Sequence, residues 1–275
     1  MRQVLIIAGK ELRDGMRNRW VVATTALLAA LALTLAFLGS APTGSVKVSA
    51  LAVTIVSLSS LTIFLVPLIA LLLSYDAIVG EVDRGTMALL LAYPVARWQV
   101  VLGKFAGHLA ILAFATVVGY GVAGLAVQLA GEADPGAWGA FVAMIASSTL
   151  LGAVFIAIGY FVSALVRDRG AAGGVAIGVW LFFVLLYDMG LLGVLVADQG
   201  RTVTAEALNA LLLLNPADAY RLLNLTASPD VSGFAGVAGL GARTGLGPAV
   251  LVGALTAWVV APLTAAAALF ARRPV

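Results

Sequence analysis

The chain has 275 residues, of which 62% are apolar and only 11% charged. A soluble domain carries about a quarter charged residues, so most of this surface must face lipid or other apolar helices. The absence of cysteine excludes disulfides and thiolate metal sites, and the net charge of +3 comes with no basic cluster interleaved with aromatics of the kind that binds nucleic acid.

Residues 1–19 read as an amphipathic helix lying on the membrane. Val4, Leu5, Ala8, Leu12 and Met16 share one face, while Lys10, Arg13, Arg17 and Arg19 lie away from it, within reach of lipid phosphates. A plain topology signal made of positive charge reads the same residues equally well, and the two readings are compatible. A bilayer core of about 30 Å needs roughly 20 apolar residues in a helix. Six segments meet that length: 20–38, 50–74, 100–130, 137–166, 171–197 and 249–271. A cleaved leader ending at Ala41 is the rival reading of residues 1–42. Its charged head is long, however, and its apolar run exceeds the roughly 7–15 residues of a leader's apolar region.

Twelve of the sixteen basic residues fall on one side of such a bundle, namely Arg2, Lys10, Arg13, Arg17, Arg19, Arg84, Arg97, Lys104, Arg167, Arg169, Arg272 and Arg273. Lys47, Arg201, Arg221 and Arg243 remain for the other, whose short loop carries Glu132 and Asp134. Positive charge marks the cytoplasmic side, so both termini are expected there, in a multi-pass protein of an inner (plasma) membrane. The expected fold is an all-α membrane protein: an interfacial helix over 1–19, then six transmembrane helices within 20–275. A cytoplasmic loop covers 75–104, and short extracytoplasmic helices lie within 198–248.

The cytoplasmic loop opens with Asp76, Glu81 and Asp83, followed by Arg84-Gly85-Thr86. An apolar run over 87–92, too short to span, ends at Tyr93-Pro94, with Arg97 and Lys104 beyond. The acids form a solvated edge that could pair with a basic groove on a cytosolic partner; a mere linker between spans fits the spacing equally well. Lys104 and His108 lie one turn apart on the third span, Lys104 snorkelling to headgroups and His108 as a satisfied structural imidazole. Gly119, Gly121, Gly124, Gly173, Gly174 and Gly178 make small-residue surfaces for close helix packing.

Asp188 is an acid inside the fifth span, roughly 25 Å from the cytoplasmic side, which makes it a candidate for gating or a substrate pathway. Within the outer segment, Thr204 to Leu214 has a capping residue, Glu206 in its first turn and Asn215-Pro216 as a stop. A second helix is expected over 218–225, and residues 232–247 hold six glycines. Such Leu-rich helices are expected at the interface, where Leu212, Leu213, Asn215 and Tyr220 would face a periplasmic partner or rest on headgroups. An intramembrane enzyme is disfavoured: Ser147 and Ser148 are mismatched in depth with His108, the one histidine, and no H-E-x-x-H run exists. Copper conduction would call on Cys, Met and His, and the spans offer Met144, Met189 and His108.

The pattern Glu81…Gly85-Thr86…Leu91…Pro94…Arg97…Gly103-Lys104 resembles the cytoplasmic loop of ABC-2 type transporter permeases. Lys10-Glu11-Leu12…Arg17-Asn18-Arg19 resembles that family's N-terminal interfacial helix, and the likeness runs the whole length. The resemblance implies that residues 81–97 form a coupling helix docking on an ATPase subunit. Glu81, Asp83, Arg84, Gly85, Thr86, Pro94 and Arg97 would be its coupling residues. No G-x-x-x-x-G-K-[ST] run is present to hold phosphates, so ATP and Mg belong to that separate subunit, and this chain carries no catalytic residue, cofactor or metal of its own. The resemblance also implies a second copy of the chain as partner. A generic small-molecule or lipid exporter and a passive scaffold remain the alternatives.

Overall fold

The computed structural model describes residues 1–39, 50–130, 135–198, 203–226 and 246–273. Helices α1 (Arg2–Met16) and α2 (Arg19–Gly39) are followed by α3 (Ala50–Ser74), then by α4 (Val79–Asp83) and α5 (Thr86–Leu91) in the first loop. Next come α6 (Arg97–Leu129), α7 (Trp138–Leu165), and α8 (Arg169–Leu181), which runs through a π-helical turn at Phe182–Leu186 into α9 (Tyr187–Asp198). Helices α10 (Ala205–Leu214), α11 (Pro216–Thr226) and α12 (Pro248–Arg272) complete the chain. Helices dominate because a bilayer offers backbone groups no water, and a helix satisfies them within itself.

Among the described residues, five helical stretches are long and apolar enough to cross a membrane: Val53–Asp83, Arg97–Leu129, Trp138–Leu165, Arg169–Asp198 and Pro248–Arg272. Arg2–Met16 and Val21–Phe37 form a pair bent by 68°, which raises the number to six if the pair is one span. The bend separates the charged α1 from the apolar α2, as the sequence pattern demands. Lys47, Glu132, Asp134, Arg201, Arg243, the proposed cleavage position and most of the glycine-rich stretch 232–247 lie outside the described residues.

Helix α7 is the axis of the bundle, with α3 and α12 packed along it. Val154, Phe155, Ile156 and Ala157 are fully buried in succession, which requires neighbours on every side of the helix. A second core gathers Leu28, Leu51, Leu58, Tyr120 and Phe141 where α2, α3, α6 and α7 meet. Helices α8 and α9 instead leave Phe182, Leu186, Met189 and Val196 exposed, the apolar outside that a lipid-facing helix presents.

Helix α1 lies against the start of α6 across two glycines. A Cβ on Gly103 would sit 2.7 Å from Ile7 Cβ, and one on Gly107 2.5 Å from Glu11 Cβ. Their four-residue spacing removes side chains from one strip of α6, so the backbones touch. Gly119 serves α2 similarly at Leu28 and Gly124 serves Phe141, whereas Gly121, Gly174 and Gly178 have nothing within 4 Å and do not make the close contacts expected of them.

Candidate functional site

The first loop is built around a break. Gly85 has φ +71°, a left-handed conformation open to glycine at no steric cost, and it divides α4 from α5. At the start of α4, the N–H groups of Ile78 and Val79 both donate to Ser163 Oγ of α7, at 2.9 and 3.0 Å. Two donors that the preceding turn leaves free are thus held by a span. Met87 plugs into the core, while Asp83, Arg84, Gly85, Thr86, Leu89, Tyr93 and Pro94 remain exposed along the outer edge. Asp76 accepts from Arg169 at 3.1 Å and faces Arg84 at 3.9 Å, tying the loop's base to α8.

Beneath the loop lies a knot of buried charge. Lys104 Nζ donates to Glu81 Oε1 at 2.7 Å and to Glu11 Oε1 at 2.9 Å, so one ammonium joins α4, α1 and α6. Its side chain is only 4% exposed. His108 Nε2 stands 3.7 Å from the other oxygen of Glu11, and His108 Nδ1 is 3.0 Å from the Tyr160 hydroxyl of α7. Burial resists ionisation of Glu11, but the Lys104 ammonium and its hydrogen bond outweigh that and hold the carboxyl below its ordinary value. Arg97 completes this end of the bundle by donating to the carbonyls of Phe270 and Arg273, with its guanidinium 5.3 Å from the Phe270 ring. The orphan carbonyls at the end of α12 are thereby capped by a cation.

At the opposite end, α10 and α11 form a hairpin that enters the bundle. Thr204 Oγ1 caps α10 by accepting from Ala207 N at 3.2 Å, and Asn215 Oδ1 accepts from Ala217 N at 3.0 Å ahead of Pro216. The carbonyls ending α10 receive donors from the spans: Tyr187 Oη reaches Leu211 O at 2.7 Å and Trp258 Nε1 reaches Leu213 O at 3.1 Å. Tyr220 meets Ser148 at 2.9 Å and Ser147 donates to Asn224 at 3.1 Å, which seats α11 about 15 Å along α7 from its start. Arg221 closes the arrangement by donating to Asp188 at 2.9 Å and to Asp218 at 2.8 Å.

The sequence matches the family described as "ABC-2 family transporter protein" over residues 5–275. The chain belongs to that family. Two relatives, each named "Probable ABC transporter permease protein NosY", agree along their whole length. The one from Stutzerimonas stutzeri is 49% identical over 276 residues, covering 99% of both chains. The one from Pseudomonas aeruginosa is 47% identical over 277 residues, covering all of both. The permease is thus a membrane subunit of a transport system.

The permease brings its sequence-derived candidates into three places. Asp83, Arg84, Gly85, Thr86 and Pro94 lie together on the exposed edge of the loop. Glu81 does not join them: it turns inward, where its carboxylate pairs with the Lys104 ammonium of α6 at 2.7 Å. Arg97 likewise ties two helix ends together. Lys104 is not snorkelling, since its two carboxylate partners hold it inside. Asp188 is paired with Arg221 under the hairpin.

The outer docking surface needs correction. Leu212 is 3% exposed, and Asn215 and Tyr220 are fully buried, with Leu213 packed beside them. These side chains contact the permease itself, because Asn215 and Tyr220 have hydrogen-bonding partners inside the bundle that an interface location would not supply. Met144 is buried against Ser148 and Met189 is 70% exposed, so the two do not converge with His108. Sequence reasoning missed Glu11, Ser163 and Arg221. The visible signals were G-x-x-x-G at Gly103–Gly107 and an acid–base pair at Asp218 and Arg221, three residues apart on one helix face.

Proposed function

We propose that this chain is the permease of an ABC transporter whose separate ATPase subunit docks on the exposed edge of the 75–104 loop. The carrying observation is that this edge is presented outward on a base held by Lys104, Ser163 and Asp76. A rigid base lets force applied to Thr86, Leu89 or Tyr93 reach α1, α6 and α7 without being absorbed by the loop. Two permeases with two ATPases form the assembly, in a bacterial inner membrane with both permease termini cytoplasmic.

The name shared by the relatives, together with the stretches KELRDGMRNRW and NPADAYRLLNL, supports a narrower reading. The transporter serves assembly of the copper–sulfide site of nitrous oxide reductase, with a NosF-like ATPase and a NosD-like periplasmic partner. The chain then acts as a transmission element, carrying movement from the loop to the hairpin end of the bundle.

Co-purification of the permease with the ATPase of its own transport system tests the docking edge. Leu89→Asp and Thr86→Arg are expected to reduce bound ATPase by about tenfold or more, a hot-spot-scale loss, while the permease keeps its thermal stability. A stoichiometric complex with both variants would place docking elsewhere, and no association of the unaltered chain would remove the transporter reading.

A further inference from the structure

Four side chains join the α10–α11 hairpin to span five at its π-helical turn. Arg221 extends one nitrogen to Asp188 and the other to Asp218, at 2.9 and 2.8 Å. Asn215 Nδ2 lies between the same two acids, 3.0 Å from Asp218 Oδ2 and 3.4 Å from Asp188 Oδ1, and also donates to Phe183 O at 3.0 Å. That carbonyl lies inside the turn Phe182–Leu186, where the helical ladder is wider than α and a side chain can enter it. The hairpin is thus fastened at the point where span five departs from regular helix.

The charges do not balance. Two carboxylates share one guanidinium, and Asp218 is only 3% exposed. With both acids ionised, a negative charge is left over on a pair whose Asp218 is buried and whose Asp188 is 31% exposed, and the two carboxylates repel across the Asn215 amide. One proton on the pair removes the excess charge and turns repulsion into a hydrogen bond.

Among the described residues, the neighbouring elements bring no second cation to the pair. Span five contributes Asp188 and the Tyr187 hydroxyl, which is committed to Leu211 O. Helix α12 contributes Trp258, and α3 and α7 bring the hydroxyls of Thr62, Ser147 and Ser148 to the Tyr220–Asn224 side of α11. Among the described residues, Arg221 is the cation paired with either acid.

We propose that Asp188, Asp218, Arg221 and Asn215 form a proton-operated latch that closes the hairpin onto span five and releases it when the proton leaves. The latch belongs to this chain's own geometry and does not depend on where an ATPase docks. Burial, and then the Asp188 charge, raise the Asp218 carboxyl to about 7 against the pull of Arg221. A value raised in the closed form means that closure takes up a proton. Closure is therefore favoured below neutral pH and weakened as pH rises through about 7.

Hydrogen exchange over residues 205–226, in the full chain in lipid nanodiscs and corrected for intrinsic rates, reads the latch directly. Between pH 6 and pH 8 the wild-type hairpin is expected to lose about tenfold in protection, the factor set by a group titrating near 7 in the closed form and near 4 in the open one. Asp218→Asn puts a neutral amide where the protonated carboxyl stands, so protection should stay high at both pH values. Arg221→Met should leave the hairpin poorly protected throughout while residues 151–164 of α7 stay protected. Unchanged wild-type protection between the two pH values would overturn the latch. So would a full pH response in Asp218→Asn, or a protected hairpin in Arg221→Met.

Discussion

At each end of the bundle a single base stands between two carboxylates, but the surroundings of the two knots differ. At the loop end, Lys104 is 4% exposed and holds Glu11 and Glu81, while Lys10 stands 3.3 Å from Glu11 as a second cation and His108 Nε2 lies 3.7 Å away. At the hairpin end, Arg221 is 26% exposed and is, among the described residues, the one cation paired with Asp188 and Asp218. The Lys104 ammonium and its hydrogen bond hold Glu11 below its ordinary value, whereas burial and the Asp188 charge outweigh Arg221 and raise Asp218. Similar arithmetic therefore yields a weld at one end and a titratable fastening at the other. The weld lies beneath the surface where force would enter, and the fastening lies where a hairpin could move.

Removing the base from the weld should give the largest effect. Lys104→Met buries two carboxylates without their cation and should cost about 3–5 kcal/mol, read as a large fall in thermal stability of the detergent-solubilised chain. A small change would mean that Lys10 and water can replace it, and the contrast between the ends would weaken. Gly107→Leu comes next, at about 1–3 kcal/mol, because the new side chain must displace α1 from α6. Exchange in residues 2–16 should rise with it, while the hairpin stays unaffected.

Ser163→Ala strips one acceptor from two buried N–H groups and should cost about 1–3 kcal/mol, with faster exchange at residues 78–83. The smallest effect is expected from Tyr160→Phe, about 1 kcal/mol, since it removes one hydrogen bond to His108 and keeps the ring in place. A larger loss would make His108 a working member of the weld.

The helical bundle was legible because a hydrophobic run of span length has few other uses. Helix α11 starts at Pro216, two residues before the expected 218, whereas the ends of α10 were legible, since Thr204 and Asn215-Pro216 are strong local signals. The depth of α11 was not: a Leu-rich stretch reads alike on a headgroup layer and in a core, and what separates them is the long-range contacts of Tyr220 with Ser148 and of Asn224 with Ser147. Of the acids expected to form a solvated edge on the loop, Asp83 is exposed, whereas Asp76 pairs with Arg169 and Glu81 with Lys104. The inward turn of Glu81 depends on Lys104, twenty-three positions away, and on the glycine strip that brings Glu11 beside it. Neither spacing nor charge in the loop alone carries that information.

Transmission between the two ends is most directly tested by hydrogen exchange in residues 205–226 of the assembled permease–ATPase complex, with and without ATP. ATP is expected to change protection of the hairpin in the unaltered complex and not in a complex carrying Lys104→Met. A hairpin indifferent to ATP, or one that responds fully without Lys104, would contradict transmission through the weld.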